Sequence, residues 1–123
     1  MNYNLVVIVG RLTKDPVCRD HNESTMAQFS LAVNRYKKDG ESQADFIPVV
    51  FWGDSAVRAS EWLKRGDLCL VQGRLTVRSY EKEGQNCWFT EVVGDSFRLM
   101  TPKPSEPEPA GGAAGEIAVN NWP

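Results

Sequence analysis

DFIPVVFWG, residues 45–53, decides how this chain folds. It has the length and bulk of a β-strand, but its polar and apolar residues do not alternate. In an extended chain Ile47, Val49 and Phe51 point one way, and Phe46, Pro48, Val50 and Trp52 point the other. Both faces are apolar and both carry an aromatic ring. Either the strand is buried on both sides, or one side presents rings to something other than water. Ile47, Val49 and Phe51 suit the inside of a small barrel. Phe46 and Trp52 are then left to be covered by a helix or partner subunit, or to serve as a stacking surface. Pro48 lacks a donor N–H and suits a bulge or an unpaired edge.

Four more strands surround this one. Leu5–Leu12 is apolar and β-branched, with Gly10 inside it. In Met26–Tyr36, Phe29, Leu31 and Val33 alternate with Gln28, Ser30 and Asn34. Leu68–Tyr80 is the longest run and Trp88–Leu99 the last. YKKDGESQA and EKEGQN, both polar and glycine-containing, suit hairpin loops. DSAVRASEWLKRG reads as a helix, with Asp54 as N-cap, Gly66 just past the end, and Lys64 and Arg65 in the last turn. Ala56, Ala59, Leu63 and Trp62 form its packing stripe. The order β-β-β-α-β-β predicts an all-β domain: a five-stranded OB-fold barrel with one helix between the third and fourth strands. That architecture uses a sheet face and loops to bind oligonucleotides or oligosaccharides.

The domain is expected over residues 1–101. From residue 102 to 123 the chain is rich in Pro, Gly and Ala and poor in large apolar residues, which predicts a disordered acidic tail. Net charge is −2 over 123 residues. Residues 1–101 carry 13 Lys+Arg against 13 Asp+Glu, so the excess acid sits in the tail. A cationic surface on the domain must therefore come from clustering on one face. No apolar run is long enough to span a membrane, and no basic segment precedes an apolar N-terminal run as in a signal peptide. Three widely spaced cysteines do not make a disulfide framework. These features point to the cytoplasm.

The chemistry concentrates on the fourth strand, LCLVQGRLTVRSY. Val71, Leu75 and Val77 share one face; Gln72, Arg74, Thr76, Arg78 and Tyr80 share the other. Set beside outward Phe46 and Trp52, this is the combination that single-stranded nucleic acid requires. Rings stack on bases and guanidinium groups meet phosphates, without reading base edges. Tyr36, Lys37 and Lys38 open one hairpin loop, and Tyr80 and Lys82 another, placing them to wrap a strand. Trp62 suits packing on the helix and Trp88 the core or an interface.

Catalytic readings have little support. Cys18 and His21 make half of a zinc site, with no second pair; Cys69 and Cys87 stand singly in strands. No P-loop, dinucleotide fingerprint or nucleophile motif is present. The expectation is no enzyme, no metal and no cofactor.

Taken together, VVIVGRLTKDP (6–16), FSLAVNR (29–35), DFIPVVFWG (45–53), ASEWLKRGD (59–67), VQGRLTVRSY (71–80) and TEVV (90–93) resemble the bacterial single-stranded DNA-binding proteins. The resemblance spans about residues 3–100, with the motifs in family order. It implies an OB-fold that assembles as a homotetramer and binds single-stranded DNA without sequence preference in replication, recombination and repair, in the cytoplasm with the nucleoid. It also implies that Phe46, Trp52, Tyr80 and, less directly, Tyr36 stack bases, and that Arg35, Arg74 and Arg78, with Lys37 nearby, meet phosphates. The family ends in an aspartate-rich tip that docks replication and repair proteins. Here AVNNWP has Asn120 and Asn121 in place of acids, leaving Trp122 and Pro123 as apolar docking residues. DNA binding is expected, and recruitment of such partners through the tip is expected to be weak. The rivals are a specialised OB-fold paralogue and a module whose exposed rings form only a protein interface.

Overall fold

The computed structural model describes residues 1–35 and 43–101. Tyr36, Lys37 and the tail expectations, Trp122 and Pro123 included, lie outside the described residues.

Among the described residues six strands and one helix run in the order β1 (Val6–Leu12), β2 (Val17–His21), β3 (Ser24–Arg35), β4 (Gln43–Trp52), α1 (Asp54–Trp62), β5 (Leu68–Lys82) and β6 (Gln85–Leu99). They form one sheet, β1-β5-β6-β4-β3-β2, and β1 also pairs with β3 at Arg11↔Ala32 and Leu12↔Leu31. That second pairing closes β1, β3, β4, β6 and β5 into the five-stranded barrel expected of an OB-fold. Gly10 sits at the closure. A Cβ there would lie 2.6 Å from the Ala32 carbonyl oxygen, so no larger residue lets the two backbones approach.

The sixth strand, β2, corrects the sequence reading. VCRDH has one apolar residue at its start and shows no strand pattern, yet it pairs with β3 from Val17↔Gln28 to His21↔Ser24. Asn22 and Glu23 make the turn, with φ of 51° and 67°. Two left-handed residues define the hairpin turn whose twist matches the strands, and this loop lacks the glycine that usually announces it.

The core is built as β4 foretells. Val49 and Phe51 are buried beside Phe29, Leu31, Val71 and Val92, with Ile47 and Val33 packed against them. Phe51 stacks on Phe29 (ring centroids 6.0 Å apart) and meets Phe97 edge-on at 5.5 Å. Helix α1 contributes Ala56 and Ala59, and Leu63 just beyond it is also buried.

The helix is shorter than its sequence suggests. Gly53, not Asp54, occupies the N-cap, and Asp54 lies in the first turn. The chain turns extended at Leu63, so Lys64 and Arg65 fall in the following loop rather than in the last turn. Asp67 explains the early stop: its carboxylate accepts the Lys64 backbone N–H at 2.9 Å and organises a tight turn instead of another helical one. Gly66, at φ 89°, donates its N–H to the Leu12 carbonyl at 2.8 Å. Trp62 ends up exposed, because Leu63 takes the inward position at the end of the stripe.

Leu75 and Val77 share a face of β5 with Val71, but Val71 is buried and they are exposed. β1 accompanies β5 only as far as Gly73, and β5 pairs with β6 alone from there to the Lys82↔Gln85 turn. β6 pairs with β4 only at Val92 and Val93, opposite Leu75 and Arg74, so Leu75 lies at the rim of the barrel and the hairpin beyond it is a two-stranded arm, where alternation no longer sorts residues into inside and outside. Trp88 lies on the same arm and is 67% exposed, which removes it from the core.

Candidate nucleic-acid interface

Strand register determines which side chains share a face, because directly paired residues point the same way. In β4, Phe46, Pro48, Val50 and Trp52 pair with Ala32, Ser30, Gln28 and Met26 of β3. Across β6, Val50 pairs with Val93, and Val93 with Arg74 of β5. Farther along, Glu91 pairs with Thr76, Phe89 with Arg78, and Cys87 with Tyr80. One continuous outer face therefore holds Trp52, Phe46, Phe89 and Tyr80, interleaved with Arg74 and Arg78. β2 extends it with Val17 and Arg19, which pair with Gln28 and Met26.

Phe46 is 67% exposed, Tyr80 50% and Trp52 39%. Within one chain the helix leaves both Phe46 and Trp52 exposed. Val50, between them in the row, is buried, so the face carries separate rings rather than a continuous apolar strip.

The arginines differ in their settings. Arg74 is exposed. Arg78 lies over the Phe89 ring, 5.0 Å from its centroid, and its Nε is 3.5 Å from the Glu91 carboxylate. Both contacts hold the guanidinium against the sheet while most of its side chain stays in water. Arg35 is already engaged: its Nε donates to both oxygens of Asp45, at 3.0 and 2.8 Å, and Nη2 lies 2.8 Å from Oδ1. That hydrogen bonding, reinforced by the opposite charge, holds the Asp45 carboxyl below its usual range and the Arg35 guanidinium above its own. A phosphate reaching Arg35 would have to compete with this carboxylate.

A groove of about 480 Å³ opens in this face, with Phe46, Pro48 and Val49 on one side and Phe89 and Glu91 on the other. Lys14, Arg19, Gln28 and Ser30 also line it. Phe89, Lys14 and Arg19 line this candidate site and were missed by sequence reasoning. The signal for Phe89 was available: an EG turn at 83–84 aligns it with Arg78, and it is two residues from Glu91. Arg19 was hidden by the unrecognised strand β2.

Burial pushes the Cys69 thiol up to about 12, so it stays protonated in the core as a small hydrophobe. Among the described residues no cluster of His, Cys, Asp and Glu could hold a metal ion, and no helix is long and apolar enough to cross a membrane.

Comparison with known proteins agrees with the geometry. Residues 3–100 match the model of the single-strand binding protein family. The chain is 46% identical over 101 residues to Single-stranded DNA-binding protein 1 of Streptococcus pyogenes, covering 79% of this chain and 78% of that protein. It is 41% identical over 124 residues to Single-stranded DNA-binding protein 2 of Staphylococcus aureus, covering 98% and 89%. The crystal structure of a small single-stranded DNA-binding protein from Streptomyces coelicolor superposes with a TM-score of 0.66 at 30% identity, covering 80% of this chain and 95% of that one. A family model matched across the whole barrel, with relatives this similar over most of their own length, means that the chain belongs to the single-strand binding protein family.

Proposed function

We propose that this protein binds and protects single-stranded DNA, without sequence preference, during replication, recombination and repair, in the cytoplasm with the nucleoid. The observation that carries this reading is the outer face itself: exposed Phe46, Trp52 and Tyr80 with Arg74 and Arg78 among them on adjacent strands. Bases stack on the rings, and the guanidinium groups neutralise the backbone. Such contacts ignore base identity because every base has a π-face. The protein acts by binding, not by catalysis.

Assembly as a homotetramer completes the reading. β1 is paired with β5 along Val6–Arg11 but meets β3 only at Arg11 and Leu12, so among the described residues its other edge is open over Val6–Val9. Val7 and Leu5 beside that edge are about half exposed, and Tyr3 more so. An open apolar edge invites a second copy of itself. Light scattering should give about four times the 13.8 kDa chain mass; a concentration-independent monomer would exclude the assembly.

Titration with oligo-dT tests the function. Stacking on Trp52 should quench tryptophan emission, and duplex DNA of equal length should leave it little changed. Unchanged emission and no binding would instead favour the reading in which the rings form only a protein interface. Arg78→Ala refines the test. Each phosphate contact on a single strand contributes about −0.7 to the slope of log K against log salt. The variant should be shallower by about that amount; an unchanged slope removes Arg78 from the contacts.

A further inference from the structure

The groove between Phe46 and Phe89 lies where two strands part company. β4 and β6 run parallel and pair at Val49↔Val92 and Val50↔Val93. Continuing that register three residues back would set Phe46 beside Phe89. Pro48 intervenes. The Ser30 carbonyl accepts the Thr13 N–H at 3.1 Å, away from β4. Ser30↔Pro48 is therefore a non-hydrogen-bonded pair, and the Pro48 nitrogen faces β6, where it has no proton to donate. Below Val49 the ladder stops, and the space between the strands becomes the groove.

Its walls and floor suit a flat apolar ring. Phe46, Pro48 and Val49 of β4 and Phe89 of β6 all line it. The volume falls within the range of about 300–1,000 Å³ usual for small-molecule sites. Lys14 and Arg19 line the same groove, and neither joins an ion pair among the described residues. Arg78 holds one side of the Phe89 ring in a cation–π contact and leaves the ring part of the groove lining.

Building on the single-stranded DNA reading above, we propose that this groove is a base slot: one unpaired nucleobase of the bound strand inserts between Phe46 and Phe89. Phe89 is thus a further stacking residue. The flanking phosphates run along Lys14 and Arg19 on one side and Arg78 on the other. Bases in a duplex are stacked on their neighbours and cannot enter, so the slot also selects for single strands. No base-edge contact is needed, because ring-on-ring stacking accepts any base.

The test compares two strands of equal length, oligo-dT and a backbone of abasic sites. On oligo-dT, Phe89→Ala and Phe89→Leu should each bind roughly 5- to 150-fold more weakly, the range of one base–aromatic stack. On the abasic strand both should match the wild type within about twofold, since the phosphates remain. Phe89→Trp should keep wild-type affinity, and Phe89→Leu guards against a packing artefact by filling most of the volume without a π-face. Equal losses on both strands would overturn the slot, leaving Phe89 as a support for Arg78. No loss on either would overturn it as well. Failure of the wild type to bind oligo-dT at all would instead sink the single-stranded DNA reading on which the slot rests.

Discussion

Phe51→Ala should destabilise the fold by about 3–5 kcal/mol, the cost of emptying a ring-sized site in a packed core. Phe51 is fully buried, stacked on Phe29 and edge-on to Phe97. Phe51 is thus the ring against which the other two pack, and its removal takes that contact from both. Gly94 of β6 lies directly against the ring: a Cβ built there would fall 2.3 Å from the Phe51 Cζ, so the backbone has been brought close to fit it. Domains have only about 5–15 kcal/mol of stability, so the loss is a large fraction of the whole. Denaturant melts at fixed protein concentration measure it, because subunit association also contributes to apparent stability. DNA affinity per folded molecule should remain near wild type, since Phe51 faces away from the proposed interface. A loss under about 1 kcal/mol would show that β4 does not supply the core through this face.

How legible this was depended on whether a residue's surroundings lie in its own strand. Ile47, Val49, Phe51, Phe29 and Leu31 follow period-two alternation across a closed barrel, and the sequence assigns them to the inside correctly, while Val50 on the outward row is buried as well. Leu75 and Val77 continue the alternation of buried Val71 and yet are exposed, because only pairing lengths reveal that β1 stops opposite Gly73, with Leu75 at the barrel's rim and Val77 on the arm beyond it. β2 was invisible for a different reason: a short, polar strand is held by its partner β3 and by an Asn22–Glu23 turn, not by its own propensity. Among the site residues, Phe46, Trp52, Arg74, Arg78 and Tyr80 could be found singly, and the structure brings them to one face. What no single strand could disclose was the pairing of Phe89 under Arg78, the groove beside Pro48, and the Asp45 carboxylate that occupies Arg35. These depend on register between segments 10 to 40 residues apart.

Phe46 and Trp52 test the other side of the same strand. Each changed to Ala should weaken oligo-dT binding by about 1–3 kcal/mol, one lost base stack. Their effects on stability should differ. Phe46 is 67% exposed, so Phe46→Ala should stay within about 0.5 kcal/mol of wild-type stability, as surface changes usually do. Trp52 is 39% exposed and sits opposite Met26, so its removal should also lower stability, though less than Phe51→Ala does. The two positions are six residues apart on one face, roughly 20 Å along an extended strand, which places them under different nucleotides. Independent sites at that separation add to within about 0.3–0.5 kcal/mol. The double variant should therefore lose about 2–6 kcal/mol, and its loss should match the sum of the singles. A loss equal to that of one single variant would mean that one ring orders the strand for the other. A large fall in melting temperature for Phe46→Ala, with affinity per folded protein unchanged, would mean that Phe46 packs against the protein and not against a base.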